Sequence, residues 1–283
     1  MSDDAAHTAP RRGPLAELAR GAAWLLGTRA SLVVLDALVP GSPLASSVLG
    51  ALLTDLGVGR AGASWDRDPE VTRRVAIQRF LRGLSAGATL AGAALLASHL
   101  LGWASVRLGR PDAMLLLALL AALGTAMREE LLYRVLPLHV AERARVPTWA
   151  ALAFAASLSV ASSALHPQAT LAGLALELGK GLLFASLAHH LRGAWAPIAA
   201  HTTWAFLVGA GARGGLLEVV FSQGELSDGA LSTGSPAWLA AGLAAALAFF
   251  AVPRLASPTS AALMKEPAPS SAAPPPTDPA ETS

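Results

Sequence analysis

The chain has 283 residues, of which 53% are hydrophobic and only 14% are charged, and it contains no cysteine. Because a water-soluble domain carries about 25% charged residues, this composition predicts that lipid surrounds most of the chain. The missing cysteines exclude disulfide frameworks, Cys-ligated zinc and Fe–S clusters. The formal net charge of +2 gives no sign of a nucleic-acid partner.

The two ends of the chain differ in composition from its middle. Residues 1–14 are polar and are predicted to form a disordered N-terminal arm. Residues 15–82 are predicted to form N-terminal helices and then an Arg-rich loop over 57–82, which its arginines place in the cytoplasm. Residues 256–283 form a Pro/Ala/Ser tail that cannot bury enough surface to offset the entropy of ordering, so disorder is predicted there.

Residues 83–255 are predicted to form a membrane core, because apolar runs long enough to span a bilayer follow one another. Only helices or closed barrels satisfy the backbone in lipid, and the runs lack the alternation of barrel strands. The predicted fold class is an all-α polytopic bundle of six spans plus an N-terminal helix pair, up to eight, in the inner cell membrane. The six runs are Gly83–Val106, Ala113–Val140, Thr148–Leu165, Leu171–Leu191, Ala194–Gly211 and Ala237–Val252.

Ionisable side chains are densest within the second run, at Arg128-Glu-Glu-Leu-Leu-Tyr-Arg134. Each charge inside a span costs roughly 2.5 to 3.5 kcal/mol on insertion scales, so its presence indicates a structural or functional role. Glu130 and Arg134 are i, i+4 neighbours that can neutralise each other, while Glu129 points about 100° away around the helix. Glu129 is therefore a free carboxylate, which suits a general base for water. The competing interpretation is a helix end whose charges reach the membrane surface.

Two histidines join these carboxylates in the apolar core. His166 closes the third run before Pro167, and His201 lies in a run that has no other ionisable side chain. A lone histidine in a membrane usually forms hydrogen bonds between helices. Together with Glu129, however, the pair leaves two chemistries open. One is a zinc ion held by Glu129, His166 and His201 with an open position, and the other is a metal-free site with histidine oxyanion donors.

The order of three motifs resembles the CPBP family, which includes type II CAAX prenyl endopeptidases and related bacterial intramembrane proteases and immunity proteins. The motifs are E-E-x-x-x-R from Glu129 to Arg134, the histidine that ends the next helix, His166, and G-A-W-A-P-I-A-A-H from Gly193 to His201. The resemblance covers residues 83–252.

This resemblance implies a membrane-embedded endopeptidase that hydrolyses a peptide bond of a membrane-associated or prenylated protein. Its partners would be membrane lipid and that peptide substrate. Glu129 would activate water, Glu130 and Arg134 would support it, and His166 and His201 would bind the oxyanion or a metal ion.

Two positions depart from the family pattern. Ser162 stands where the family usually has Phe, and Ala205 stands where it usually has Asn or Asp. Ala205 removes a side chain that would form a hydrogen bond within the site. The alternative is therefore a non-catalytic membrane interaction or immunity protein that keeps the same fold.

Two further signals compete with this interpretation. Gly83-Leu-Ser-Ala-Gly87 matches the G-x-S-x-G pattern of serine hydrolases, but it begins a membrane helix rather than following a strand. Close helix packing explains its two glycines more simply than catalysis by Ser85. Glu177 and Lys180 are i, i+3 neighbours that predict an intramembrane ion pair, as in a transporter, although no internal repeat is visible.

The depth of the two histidines in the bilayer opposes a shared site. If the helices were straight and alternated in direction, His166 would lie near one membrane face and His201 roughly 10 to 15 Å from the other. Helix tilt, or breaks at Pro167 and Pro197, would be needed to bring them together. Their convergence is therefore implied only by the family resemblance.

Overall fold

The chain folds as a bundle of helices, which confirms the predicted all-α class. The computed structural model describes residues 13–68, 70–102, 104–165, 169–211, 215–221, 242, 244–249 and 252–253. Within these residues the helices are α1 (Pro14–Leu38), α2 (Pro43–Arg60), α3 (Arg73–Leu100), α4 (Met114–Glu130), α5 (Leu136–Arg143), α6 (Thr148–Ala164), α7 (Leu171–His190) and α8 (Trp195–Phe206). Two π-helical segments, Leu131–Val135 and Leu207–Gly211, follow α4 and α8.

Local sequence explains where several helices begin. Pro14 and Pro43 occupy the first turns of α1 and α2, where a missing backbone N–H costs nothing. The side chains of Ser42, Thr72 and Thr170 act as N-caps of α2, α3 and α7, because each accepts a hydrogen bond from the backbone amide three residues further on.

Three of the described helices are long and apolar enough to cross a membrane, namely α1, α3 and α7. Helix α6 is apolar but shorter. Helix α4, the first π segment and α5 follow without a break from Met114 to Arg143, which gives a helical length of about 45 Å. The predicted count of six spans stays a prediction.

Helix α8 lies deep in the bundle because small residues let other backbones approach it. A Cβ atom at Gly83 or Gly87 of α3 would collide with the carbonyl oxygen of Ala196 or Ala200, so the two helices run side by side and parallel. This confirms the packing interpretation of the two glycines. Helix α7 is also central, with 61% of its apolar window buried against 17% for α1.

The prediction of a loop over the Arg-rich segment 57–82 is wrong, because helices form both ends of this segment. Helix α2 continues to Arg60 and α3 already begins at Arg73. The side chain of Arg79 is buried and forms ion pairs with Asp66 at 2.8 Å and Asp68 at 2.7 Å. Because these carboxylates neutralise it, the segment packs against the protein instead of extending into solvent.

The first run of the predicted core also ends earlier than expected. Helix α3 stops at Leu100, and Gly102 adopts the left-handed backbone conformation with φ of 70°. Strand β1 (Ala104–Leu108) then pairs antiparallel with β2 (Leu217–Phe221). Helix was predicted as far as Val106, because apolar composition alone does not distinguish the end of a span from a short strand.

Several predictions lie outside the described residues. They concern residues 1–12 of the arm, His166, most of the run Ala237–Val252 and the tail 256–283. For these segments the predictions made from sequence stand untested.

Candidate active site

A cluster of charged side chains forms around the junction of α4 and the first π segment. Glu129 and Glu130 end α4, and Arg134 lies in the π segment, all of whose residues are buried. Arg134 Nε is 3.4 Å from Glu130 Oε2, so the predicted pairing of these two residues is confirmed. Isolated π turns inside helices occur often at functional sites.

Helix α8 brings His201 to this junction from another part of the chain. Its Nδ1 atom lies 2.7 Å from Oε1 of Glu130, and both residues are buried, with 6% and 0% of their surface exposed. An ionised carboxylate can only accept a hydrogen bond, so Nδ1 carries the proton and donates it. Glu130 thus orients the ring and leaves Nε2 for chemistry.

The free nitrogen of His201 faces Glu129. Glu129 Oε2 lies 3.9 Å from His201 Nε2, a separation that leaves the two groups close without a direct hydrogen bond. The Glu129 side chain is 36% exposed whereas that of Glu130 is fully buried. The two adjacent carboxylates therefore occupy different environments, as the helical spacing predicted.

An aromatic side chain that sequence reasoning missed holds the histidine ring in place. Phe184 of α7 is fully buried and stacks on His201 with ring centroids 5.3 Å apart and an angle of 27° between the planes. The guanidinium carbon of Arg134 lies 6.0 Å from the centre of the same phenyl ring. Nothing in the sequence distinguishes this Phe from other core residues, because its role depends on how α7 and α8 pack.

A second ion pair lies on the same helix as Phe184. Lys180 Nζ is 2.6 Å from Glu177 Oε1, which confirms the pair predicted from their spacing. Lys180 precedes Phe184 by four residues, so the two side chains lie on one face of α7. Glu177 also interacts electrostatically with His201 and Arg134, which places the pair beside the charged cluster.

Two residues that depart from the family pattern, Ser162 and Ala205, lie close to this cluster as well. Ser162 Oγ is 3.1 Å from the hydroxyl of Tyr133, so the last turn of α6 packs against the π segment that follows Glu130. Ala205, one turn after His201 on α8, is half-buried. His166 lies outside the described residues.

The donor set for a metal ion is incomplete in the part of the chain that the structure describes. Glu129 and His201 Nε2 face each other, but the described residues contain no group of three side chains placed to hold a metal ion. Glu130 engages the other nitrogen of His201. The third candidate ligand, His166, lies beyond the described ranges.

The fold and its polar centre define a helical membrane protein with buried carboxylate and histidine groups. Residues 111–207 match the family model of Rce1-like proteins, described as type II CAAX prenyl endopeptidases. This segment is about a third of the chain and runs from before α4 to just beyond α8, so it includes all three motifs. The match confirms the family resemblance over this segment, which is similar to those endopeptidases.

Neither the curated proteins nor the solved structures provide a match to this chain.

Proposed function

We propose that this protein is a membrane-embedded endopeptidase that hydrolyses a peptide bond of a membrane-associated or prenylated protein. The observation that carries the proposal is the pairing of a partly exposed carboxylate, Glu129, with the free nitrogen of a buried histidine, His201, 3.9 Å away. The family match supports the reaction class.

In the proposed reaction Glu129 takes a proton from water, and the resulting hydroxide attacks the carbonyl carbon of the scissile bond. The carbonyl oxygen becomes an oxyanion, which the imidazolium form of His201 stabilises by donating from Nε2 while Nδ1 donates to Glu130. When the tetrahedral intermediate collapses, the C–N bond breaks and Glu129 returns its proton to the leaving amine. Glu130, held by Arg134, keeps the His201 ring in the orientation that this step requires.

A zinc-dependent form of the same proposal uses Glu129, His166 and His201 as ligands. A zinc ion bound there would polarise the carbonyl or the water. The two forms differ in their response to a chelator, which should inhibit only the zinc-dependent form.

The proposal predicts that Glu129→Gln lowers the cleavage rate by about 10² to 10⁴-fold, because a general base contributes that much. The measurement is cleavage of a quenched fluorescent prenylated peptide by purified protein in detergent, with and without a chelator. Glu142→Gln is the matched control, since Glu142 is an exposed carboxylate that contacts Arg67 outside the site. Equal rates for Glu129→Gln and wild type would refute the assigned role.

Ala205 supports a second candidate, a membrane interaction or immunity protein that keeps the fold without catalysis. The side chain one turn after His201 is a methyl group where the family pattern places a hydrogen-bonding residue. If that loss limits catalysis, Ala205→Asn should raise the cleavage rate, and Ala205→Leu is the control for added volume. Inactivity of wild type and of Ala205→Asn with every peptide tested would favour the second candidate.

A further inference from the structure

A groove between α1 and α2 lies outside the segment that matches the protease family. It encloses about 460 Å³, within the range of small-molecule sites. Most of α1 is exposed, so this groove opens toward the lipid rather than into the bundle. The lining residues that matter here are Arg20, Trp24, Gly27, Leu53, Leu56 and Arg60.

Two arginines mark one end of this groove. Arg20 lies near the start of α1 and Arg60 at the end of α2, so both lie at the same end of this antiparallel helix pair. Arg20 Nη2 approaches the backbone carbonyl oxygen of Arg60 at 3.5 Å. Within the described part of the chain neither guanidinium forms an ion pair. Two neighbouring positive charges without a counter-charge favour an anionic ligand.

This end of the groove belongs to the arginine-rich face of the protein. Helix α2 leads directly into the connection 61–72, and Arg143 donates a hydrogen bond to the carbonyl oxygen of Gly62 in that connection. Asp55, the acidic residue nearest to Arg60 on α2, is already occupied, because it accepts a hydrogen bond from Trp65 Nε1 at 2.5 Å. The arginines therefore lie at one end of the groove, and its apolar lining, which includes Trp24 and Leu53, extends away from them.

We propose that this groove binds one phospholipid of the surrounding membrane with an anionic headgroup. The phosphate is held by the guanidiniums of Arg20 and Arg60, whose planar donors suit phosphate oxygens. One acyl chain lies along Trp24, Gly27 and Leu53. The shared chemistry is phosphate recognition, and the apolar groove is what distinguishes a lipid from a free phosphate ion.

The bound lipid would connect the N-terminal helix pair to the helices of the candidate site. Helix α1 packs closely on α5, where a Cβ atom at Gly21 would meet the side chain of Val140 at 2.6 Å. Asp36 of α1 pairs with Arg128 of α4, one residue before Glu129, at 3.0 Å. Occupancy of the groove is therefore expected to stabilise the position of α1 against α4 and α5.

The first test measures lipid bound to the purified full-length protein by native mass spectrometry, with phosphatidylglycerol and phosphatidylcholine in competition. We expect wild type to prefer phosphatidylglycerol and Arg20→Gln/Arg60→Gln to bind it about 30-fold more weakly, since each arginine near an anionic headgroup contributes a factor of about five. Arg73→Gln/Arg74→Gln is the matched control, because it removes two exposed arginines from the start of α3. Equal weakening in both double variants would overturn the proposal in favour of general charge attraction.

The second test blocks the apolar part of the groove while leaving both arginines. Gly27 lines the groove, and a Cβ atom there meets nothing within 4 Å, so the side chain of Gly27→Leu begins in open space beside the groove. We expect at least a tenfold loss of phosphatidylglycerol binding, while Gly92→Leu, at an equally open position of α3, keeps wild-type binding. Unchanged binding in Gly27→Leu would overturn the placement of the acyl chain, and displacement of the lipid by millimolar inorganic phosphate would show a free-anion site.

Discussion

Two adjacent carboxylates have different roles because one helical position separates them. Glu130 is fully buried between Arg134 and His201, whereas Glu129 is partly exposed and faces His201 Nε2. The spacing of Glu130 and Arg134 within one helical turn was enough to predict their pairing. The contact of Glu130 with His201 could not be predicted, since it joins residues 71 positions apart and depends on how α8 packs.

Arg134→Met should destabilise the protein by about 3–5 kcal/mol, because it leaves the buried carboxylate of Glu130 without its cation. The free energy of unfolding can be measured by equilibrium denaturation in mixed micelles. Arg74→Met, which removes an exposed arginine at the start of α3, should change that energy by less than about 0.5 kcal/mol. A similar small effect for both variants would contradict the assigned burial of the Glu130–Arg134 pair.

Helices α3 and α8 meet through glycines, and the sequence indicated the close approach but not the partner. Gly83 and Gly87 follow the small-xxx-small pattern, which predicts tight packing against some helix. That helix is α8, which carries His201. The π segment after Glu130 and strand β1 could not be predicted, because the hydrophobic pattern of so short a segment does not distinguish α-helix, π turn and strand.

Gly87→Ala should destabilise the protein by about 1–3 kcal/mol, because the new methyl group has no room beside the Ala200 carbonyl. At Gly92, where a Cβ atom meets nothing within 4 Å, the same change should stabilise α3 by roughly 0.5–1 kcal/mol. Thermal unfolding in detergent can compare the two variants. If alanine stabilises the protein at both positions, helix propensity and not the contact between α3 and α8 determines the effect at Gly87.

Segments that precede the family match help to position the candidate site. Helix α3 and the connection 61–72 lie outside residues 111–207, yet both contact α8, through Gly87 and through Asp66. Composition was sufficient to predict the all-α class. Long apolar runs indicate a lipid environment, and in lipid a helix satisfies its own backbone hydrogen bonds. Composition did not predict the structure of the connection 61–72. The sequence Asp-Arg-Asp is the same whether these charges form ion pairs within the protein or are solvated by water.

Acid should destabilise this connection. Burial raises the pKa of Asp68, but hydrogen bonds from Arg79 and Arg192 outweigh that effect and hold the pKa below its usual value of 3.8. A carboxyl with a lowered folded pKa contributes stability above its unfolded pKa and loses that contribution as pH falls through the folded value. Wild type should therefore lose unfolding free energy below about pH 4.

The Arg192→Gln variant tests the origin of this pH dependence, since Arg192 Nε lies 2.5 Å from Asp68 Oδ1. Without Arg192 the pKa of Asp68 should move toward its unfolded value, so the variant should be less stable at neutral pH and lose less on acidification. Arg107→Gln, in strand β1, is the control. Parallel pH curves for wild type and Arg192→Gln would contradict this account of the connection.

The most direct test of the proposed peptidase is mass spectrometry of a prenylated peptide after incubation with the purified protein in ¹⁸O-labelled water. Hydrolysis predicts two fragments, with one ¹⁸O atom in the new carboxylate, from wild type and from Glu142→Gln. Glu129→Gln should yield neither fragment at a comparable rate while it unfolds at the same temperature as wild type. Labelled fragments at the wild-type rate from Glu129→Gln would contradict the role of Glu129, and intact peptide in every sample, over several prenylated and transmembrane substrates, would contradict the peptidase itself.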